Sequence, residues 1–147
     1  MADAVEAAIK NVLFRSLATF AAAQSPALTV SWPNIAFSPP TVSATASWLR
    51  VTMLPADTAP MGIAFSSMNH HYGLFQVDTF YGQGSGELGI TRTAALIIAN
   101  FTRGTNLSSD GFTIRILEQP YLGPMLKDDP WMMLPVRIPY TAYASPA

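Results

Sequence analysis

The sequence predicts an α+β fold, a mainly antiparallel or mixed sheet with two helices packed on one face. Three observations predict it. Residues 3–23 and 85–103 repeat apolar side chains at helical spacing. Five further stretches read as strands, several with strict alternation, and proline and glycine punctuate between them. Their order is helix, three strands, helix, two strands, which suits helices set against an antiparallel sheet better than a strict alternation of strand and helix. At 147 residues the chain is expected to form a single domain, 1–147, with a proper core.

The first helix carries Val5, Ile9, Val12, Leu13, Leu17 and Phe20 on one stripe, with Asp3 and Glu6 as a capping-box-like start and Pro26 just past its end. "ALTVS", 27–31, is a short strand candidate. "WPNIAFSPPTVSATA", 32–46, contains Pro33, Pro39 and Pro40, which exclude a central strand; Trp32, Ile35 and Phe37 predict an ordered loop pinned by its aromatics. "SWLRVTML", 47–54, alternates cleanly. A long connection, 55–70, follows, of a length that is uncommon unless functional. "YGLFQVDTFY", 72–81, is the third strand. After "GQGSG", Ser85 is a candidate cap for a second helix through about Arg103, with Gly104 at its C-terminus. "GFTIRILEQ", 111–119, and "WMMLPVRIPYTAY", 131–143, complete the set. Pro135 and Pro139 share parity, so two N–H donors are missing from one side of the last strand; an edge position is expected for it.

Composition narrows the function classes. The absence of cysteine excludes disulfides, thiolate nucleophiles and zinc–thiolate sites. Asp3 and Glu6 precede the first apolar run, where a signal peptide wants positive charge. No run of 18 apolar residues predicts a membrane span. Eight basic residues against nine acidic ones, with no basic cluster, give no grip for sequence-specific nucleic acid. Charged residues make up 12% of the chain, about half the usual share. Either the 25 serines and threonines cover the surface, or part of it is buried against other chains; seven methionines and sixteen aromatics favour the second.

Three sites of reactive chemistry can be weighed. In "NHHYGLFQVD", 69–78, His71 and Asp78 fall on opposite strand faces, and His70 lies about 26 Å from Asp78 along a regular strand. Neither pair can share a metal locally, so a strand beginning with two histidines is favoured over a metal site. "GQGSGE" would need its third fingerprint glycine at Glu87, so a turn is favoured over a dinucleotide loop. Ser66 and Ser67 lie near His70, but no G-x-S-x-G elbow is present. No catalytic, cofactor or metal residue is assigned. Parity instead sorts the strands into two faces. Leu49, Val51, Met53, Phe75, Val77, Tyr81, Phe112, Ile114, Ile116, Leu134, Val136 and Ile138 form the expected core face. Trp48, Arg50, Thr52, Gln76, Asp78, Thr113, Arg115, Trp131, Met133 and Arg137 form the other, a candidate docking surface with Asp78 as an ion-pair partner. The candidate interface is Trp48, Arg50, Asp78, Arg115, Trp131, Met133 and Arg137, joined by Met61, Phe65 and Met68 of the apolar loop 55–70.

"SWPNIAFSPP", "SWLRVTMLP", "YGLFQVDTFYGQGSG" and the closing "PVRIPYTAY" resemble the tail terminator-like proteins of long-tailed bacteriophages, the group related to the lambda-type tail terminator. The likeness runs over about residues 4–143, and "GLFQVD" followed by a glycine-rich turn and a helix is its most specific part. It implies an α+β virion protein with no catalytic residues and no cofactor. It further implies a homo-oligomeric ring, expected to be a hexamer, on the last ring of the tail tube. Such a ring stops tube growth and presents a surface to the neck. The implied partners are other copies of the chain, the major tail tube protein and a head–tail connector or neck protein, with no membrane. The implied location is the neck end of the tail, after assembly in the host cytoplasm. Two rival readings remain: another neck or head-completion protein, and a small ligand-binding or metal-dependent enzyme built on His70, His71 and loop 55–70.

Overall fold

A computed structural model describes residues 4–109 and 112–146, the side chain of Ser109 excepted. The architecture is α+β. Helix α1 (Val5–Ala23) leads into β1 (Thr29–Ser31), β2 (Ser47–Pro55), β3 (Ala59–Pro60) and β4 (Asn69–Gly82). Helix α2 (Leu88–Asn100) precedes β5 (Asn106–Ser109), β6 (Phe112–Arg115), β7 (Tyr121–Leu122), β8 (Leu126–Asp128) and β9 (Trp131–Ala144). Among the described residues these strands make one mixed sheet ordered β1-β2-β4-β9-β6-β5, with β3 on β4 and with β7 and β8 on β9. The pair β1/β2 is parallel and the other pairs are antiparallel.

Helix α1 starts at Ala4 with no side-chain cap bond and Glu6 in its first turn, where a negative charge suits the helix dipole. The expected cap, Asp3, lies outside the described residues. The helix stops before Pro26, and Gln24 Nε2 donates back to the Phe20 carbonyl at 3.2 Å. Helix α2 is shorter than expected. Glu87 is its N-cap, because Ser85 Oγ donates to the Gly82 carbonyl and closes the turn instead. Gly104 does take a positive φ of 94°, but its N–H bonds to the Ile116 carbonyl, three residues beyond the helix cap at Phe101. Of the expected strand 111–119, residues 112–115 form β6, paired with the unexpected β5, and Gly111 lies outside the described residues.

Side chains of both helices share one core cluster with Leu49 and Val51 of β2, Phe75 and Val77 of β4, and Leu134, Val136 and Ile138 of β9. Its rungs across β2, β4 and β9 are Val51–Val77–Val136 and Met53–Phe75–Ile138, as alternation predicts. Helix α2 lies against β4 and β9, whereas α1 touches β1 and β5, the two ends of the strand order. One helix reaching both ends requires the sheet to curl.

The expectation that β9 is an edge strand is overturned: it is central, paired with β4 over its full length. The parity behind the expectation was sound. Pro135 accepts a bond from Gly123 N–H at 2.9 Å, so its ring nitrogen faces away from β4. On that side three short pieces, β8, β7 and β6, pair with residues 131–133, 136–137 and 141–142 in turn. The prolines fall in the gaps. A strand with two missing donors on one side is served there by fragments rather than left unpaired.

Candidate functional site

The face of β2, β4 and β9 opposite the main core is ordered as three adjacent rungs. The first is Trp48–Phe80–Met133, the second Arg50–Asp78–Pro135, the third Thr52–Gln76–Arg137. Cross-strand neighbours of this kind touch directly, so each rung is a row of contacts.

The aromatic rung is not free surface, which corrects the outward placement of Trp48 and Trp131. Both are buried in a second cluster with Phe80. Trp48 stacks on Phe80 at 4.0 Å and meets Trp131 edge-on at 6.0 Å, and Phe37 closes over Trp48 at 5.1 Å. Phe37 belongs to the segment 32–46, a strap that starts with Trp32 against Phe14 of α1 and covers this face through Phe37 and Ala46. Gly82 N–H donates to the Ala46 carbonyl, and a Cβ on Gly82 would stand 2.2 Å from the Ser43 carbonyl oxygen. The strap is therefore seated where only glycine fits. Sequence reasoning missed Phe80, although it shares parity with Asp78 and Trp48 sits directly opposite.

The charged rung corrects the placement of Asp78 as a surface residue. Its carboxylate is 2% exposed, against 42% for the Arg50 side chain. Arg50 Nε and Nη2 both donate to Oδ2, at 3.1 and 3.0 Å, and Gln76 Nε2 donates to Oδ1 at 2.9 Å. A buried carboxylate is tolerated only when so paired. Gln76 also accepts from Arg137 Nε at 3.4 Å. Arg50 lies over the Phe80 ring at 4.9 Å, and its Nη2 reaches the Met133 sulfur at 3.3 Å. Arg50, Gln76, Arg137 and Met133, each partly exposed, thus form a stitched patch, with Asp78 as its buried anchor. Arg115 is exposed and stands two rungs beyond, opposite Thr141.

The loop 55–70 is not structureless. Strand β3 pairs Ala59 with His70, and Met61 N–H donates to the Met68 carbonyl at 2.9 Å. The result is a hairpin whose tip, 61–68, projects past the sheet. Met61, Ile63, Phe65 and Met68 are all exposed on it, Ile63 and Phe65 at 104% and 101% of an extended chain's value.

The histidines lie at the root of this hairpin. His70 is stacked between Tyr72 and Tyr143, at 4.7 and 4.8 Å. His71 is buried on the other face, with Nδ1 at 3.4 Å from Thr58 Oγ1. It borders a cavity of about 280 Å³ with Glu6, Lys10 and Tyr140, whose hydroxyl burial holds above its ordinary pKa. No cluster of three or more histidines and acids occurs among the described residues. Ser66 and Ser67 sit in the hairpin tip, and residues 83–86 form the expected turn, with Gly84 and Gly86 at φ of 87° and 80°. What the arrangement can do is present surface: an apolar projection at one end, and a cation-rimmed patch over an aromatic cluster on the outer face.

Comparison with known proteins agrees. The family model described as "Phage tail terminator protein" matches residues 3–140. No curated protein matches the chain. A solved structure without a functional name has 26% identity and a TM-score of 0.79, covering 99% of this chain and 100% of that one. With a match over so much of its length, the chain belongs to the phage tail terminator family and is a structural, tail-associated component of the virion.

Proposed function

We propose that the chain caps the tail tube. Copies close into a ring, expected to be a hexamer, on the last ring of the major tail tube protein. The ring ends polymerisation and offers its opposite surface to the neck or connector proteins that join head to tail. Assembly takes place in the host cytoplasm. The observation that carries the reading is the family match over residues 3–140. Capping is a matter of unlike faces. A tube grows because each ring reproduces the face it binds, and a terminator must match the tube on one side and not repeat that match on the other. Contacts around a ring are head-to-tail and close by rotation. A near-neutral chain, eight basic residues against nine acidic, also suits a lumen through which DNA must pass without being held.

The test is a polymerisation assay with purified tube protein, followed by electron microscopy. Substoichiometric chain is expected to shorten the tubes and, when gold-labelled, to mark one end of each. Tubes of unchanged length, with label along their sides or absent, would refute capping.

A further inference from the structure

We propose that the hairpin tip 61–68 of one copy seats in a groove between α1 and the segment after β1 of the next copy, with Ile63 and Phe65 as the inserted side chains. The inference rests on the ring reading and gives it a specific joint. The projection is exposed without relief: Ile63 and Phe65 have no cover at all, and from Thr58 to Tyr72 the chain carries no acid, lysine or arginine. Isolated exposed apolar residues are ordinary, but four on one projecting hairpin mark an interaction site.

The receiving site lies on the same chain. Phe14 and Ala18 of α1 line a shallow groove of about 400 Å³ with Trp32, Pro33 and Ile35. Ile35 is 63% exposed, although the sequence places it among aromatics that pin the strap. Arg15 is the one charged residue on the groove wall among the described residues, and Asp57 is the one charged residue in the hairpin arm 55–70. Knob and groove thus carry matching apolar character, and the arm behind the knob and the groove wall carry single opposite charges, Asp57 and Arg15.

The hairpin is out of reach of its own groove. Trp32 follows Ser31, which pairs with Arg50. The neighbouring residue Val51 pairs with Val77 of β4, whereas the hairpin joins β4 at Asn69. Eight residues of strand separate those levels, on the order of 26 Å. The contact must therefore be between copies. Because knob and groove are different patches, it is head-to-tail, and such a contact closes a ring or runs on as a filament.

The chain has no cysteine, so engineered thiols report on one contact alone. The full-length double variant Ile63→Cys/Ala18→Cys is oxidised and run on a non-reducing gel, beside a control with Ile63→Cys and Ala99→Cys, a position exposed on α2. A ladder extending beyond dimers is expected from the first pair and dimers at most from the control. Within one copy the spacing forbids the bond, since bridged Cα atoms lie within about 7 Å. In parallel, Phe65→Ser and Ala18→Glu are each examined by light scattering and circular dichroism. Each is expected to remain folded and monomeric, and their mixture to form pairs that grow no further. Unmodified chain that assembles while the first pair gives no ladder would overturn the joint and leave the ring standing. A ladder from a chain that is otherwise monomeric would support the joint and refute the stable ring. A knob variant that fails to cap tubes yet still assembles would move the hairpin's partner to the tube protein and overturn the proposal.

Discussion

At the scale of residues, Arg50 and Asp78 are the most instructive pair, because their burial is unequal. Asp78 is enclosed, while Arg50 keeps 42% of its side chain in solvent. Removing the arginine leaves a buried carboxylate with Gln76 as its remaining side-chain partner among the described residues. Removing the acid leaves a guanidinium that water can reach. Arg50→Ala is therefore expected to cost about 2–4 kcal/mol, and Asp78→Asn about 1–2 kcal/mol, since a half-exposed charge is re-solvated. Urea unfolding of both variants and of the double variant measures the difference and the coupling. Equal losses would mean that the ion pair is as wet as any on the surface. Asp78 was legible as an ion-pair partner from strand parity. Its burial was not, because parity places a side chain on a face and says nothing of what lies above that face.

Among elements, the strap 32–46 decides how the outer face is used. Three prolines keep it out of the sheet, and Phe37 anchors it on Trp48. Gly82 is its seat. Gly82→Ala drives a methyl into the Ser43 carbonyl and is expected to cost about 1–3 kcal/mol by overpacking, with faster proteolysis within 32–46. Gly84→Ala is the contrast. Nothing stands within 4 Å of its added methyl, and its positive φ alone is expected to cost about 1 kcal/mol with the strap undisturbed. If both variants lose the same stability and neither loosens the strap, the strap is not seated on Gly82. The same contrast shows what sequence can carry. Strands β2, β4 and β9 were visible from alternation, and each face was sorted correctly at its centre. The two-residue strands β3 and β7 and the three-residue β8 were not visible, since fragments that short have no period. For β7 and β8 the division into fragments follows from the gaps that Pro135 and Pro139 impose on β9, a constraint readable only once β4 is known to occupy the other side.

For the whole molecule, the sparse charge predicted from composition has a physical consequence for assembly. The chain exposes 8374 Å², which its seventeen charges, eight basic and nine acidic, divide into about 490 Å² each. Association built on such a surface must draw on apolar contact, here Ile63 and Phe65 above all, with Asp57 and Arg15 as a single rim pair. Salt acts oppositely on the two. It screens the rim pair, whose worth is under about 1 kcal/mol. It leaves apolar burial intact, and sulfate strengthens it. Assembly followed by light scattering is therefore expected to weaken less than about fivefold per contact between 50 mM and 500 mM sodium chloride, the most that loss of one such pair allows. It should strengthen when sulfate replaces chloride at the same ionic strength. Assemblies that fall apart across that chloride range and gain nothing from sulfate would put the Arg50, Arg115 and Arg137 face at the joint instead. The hairpin would then be left for the tube or the neck.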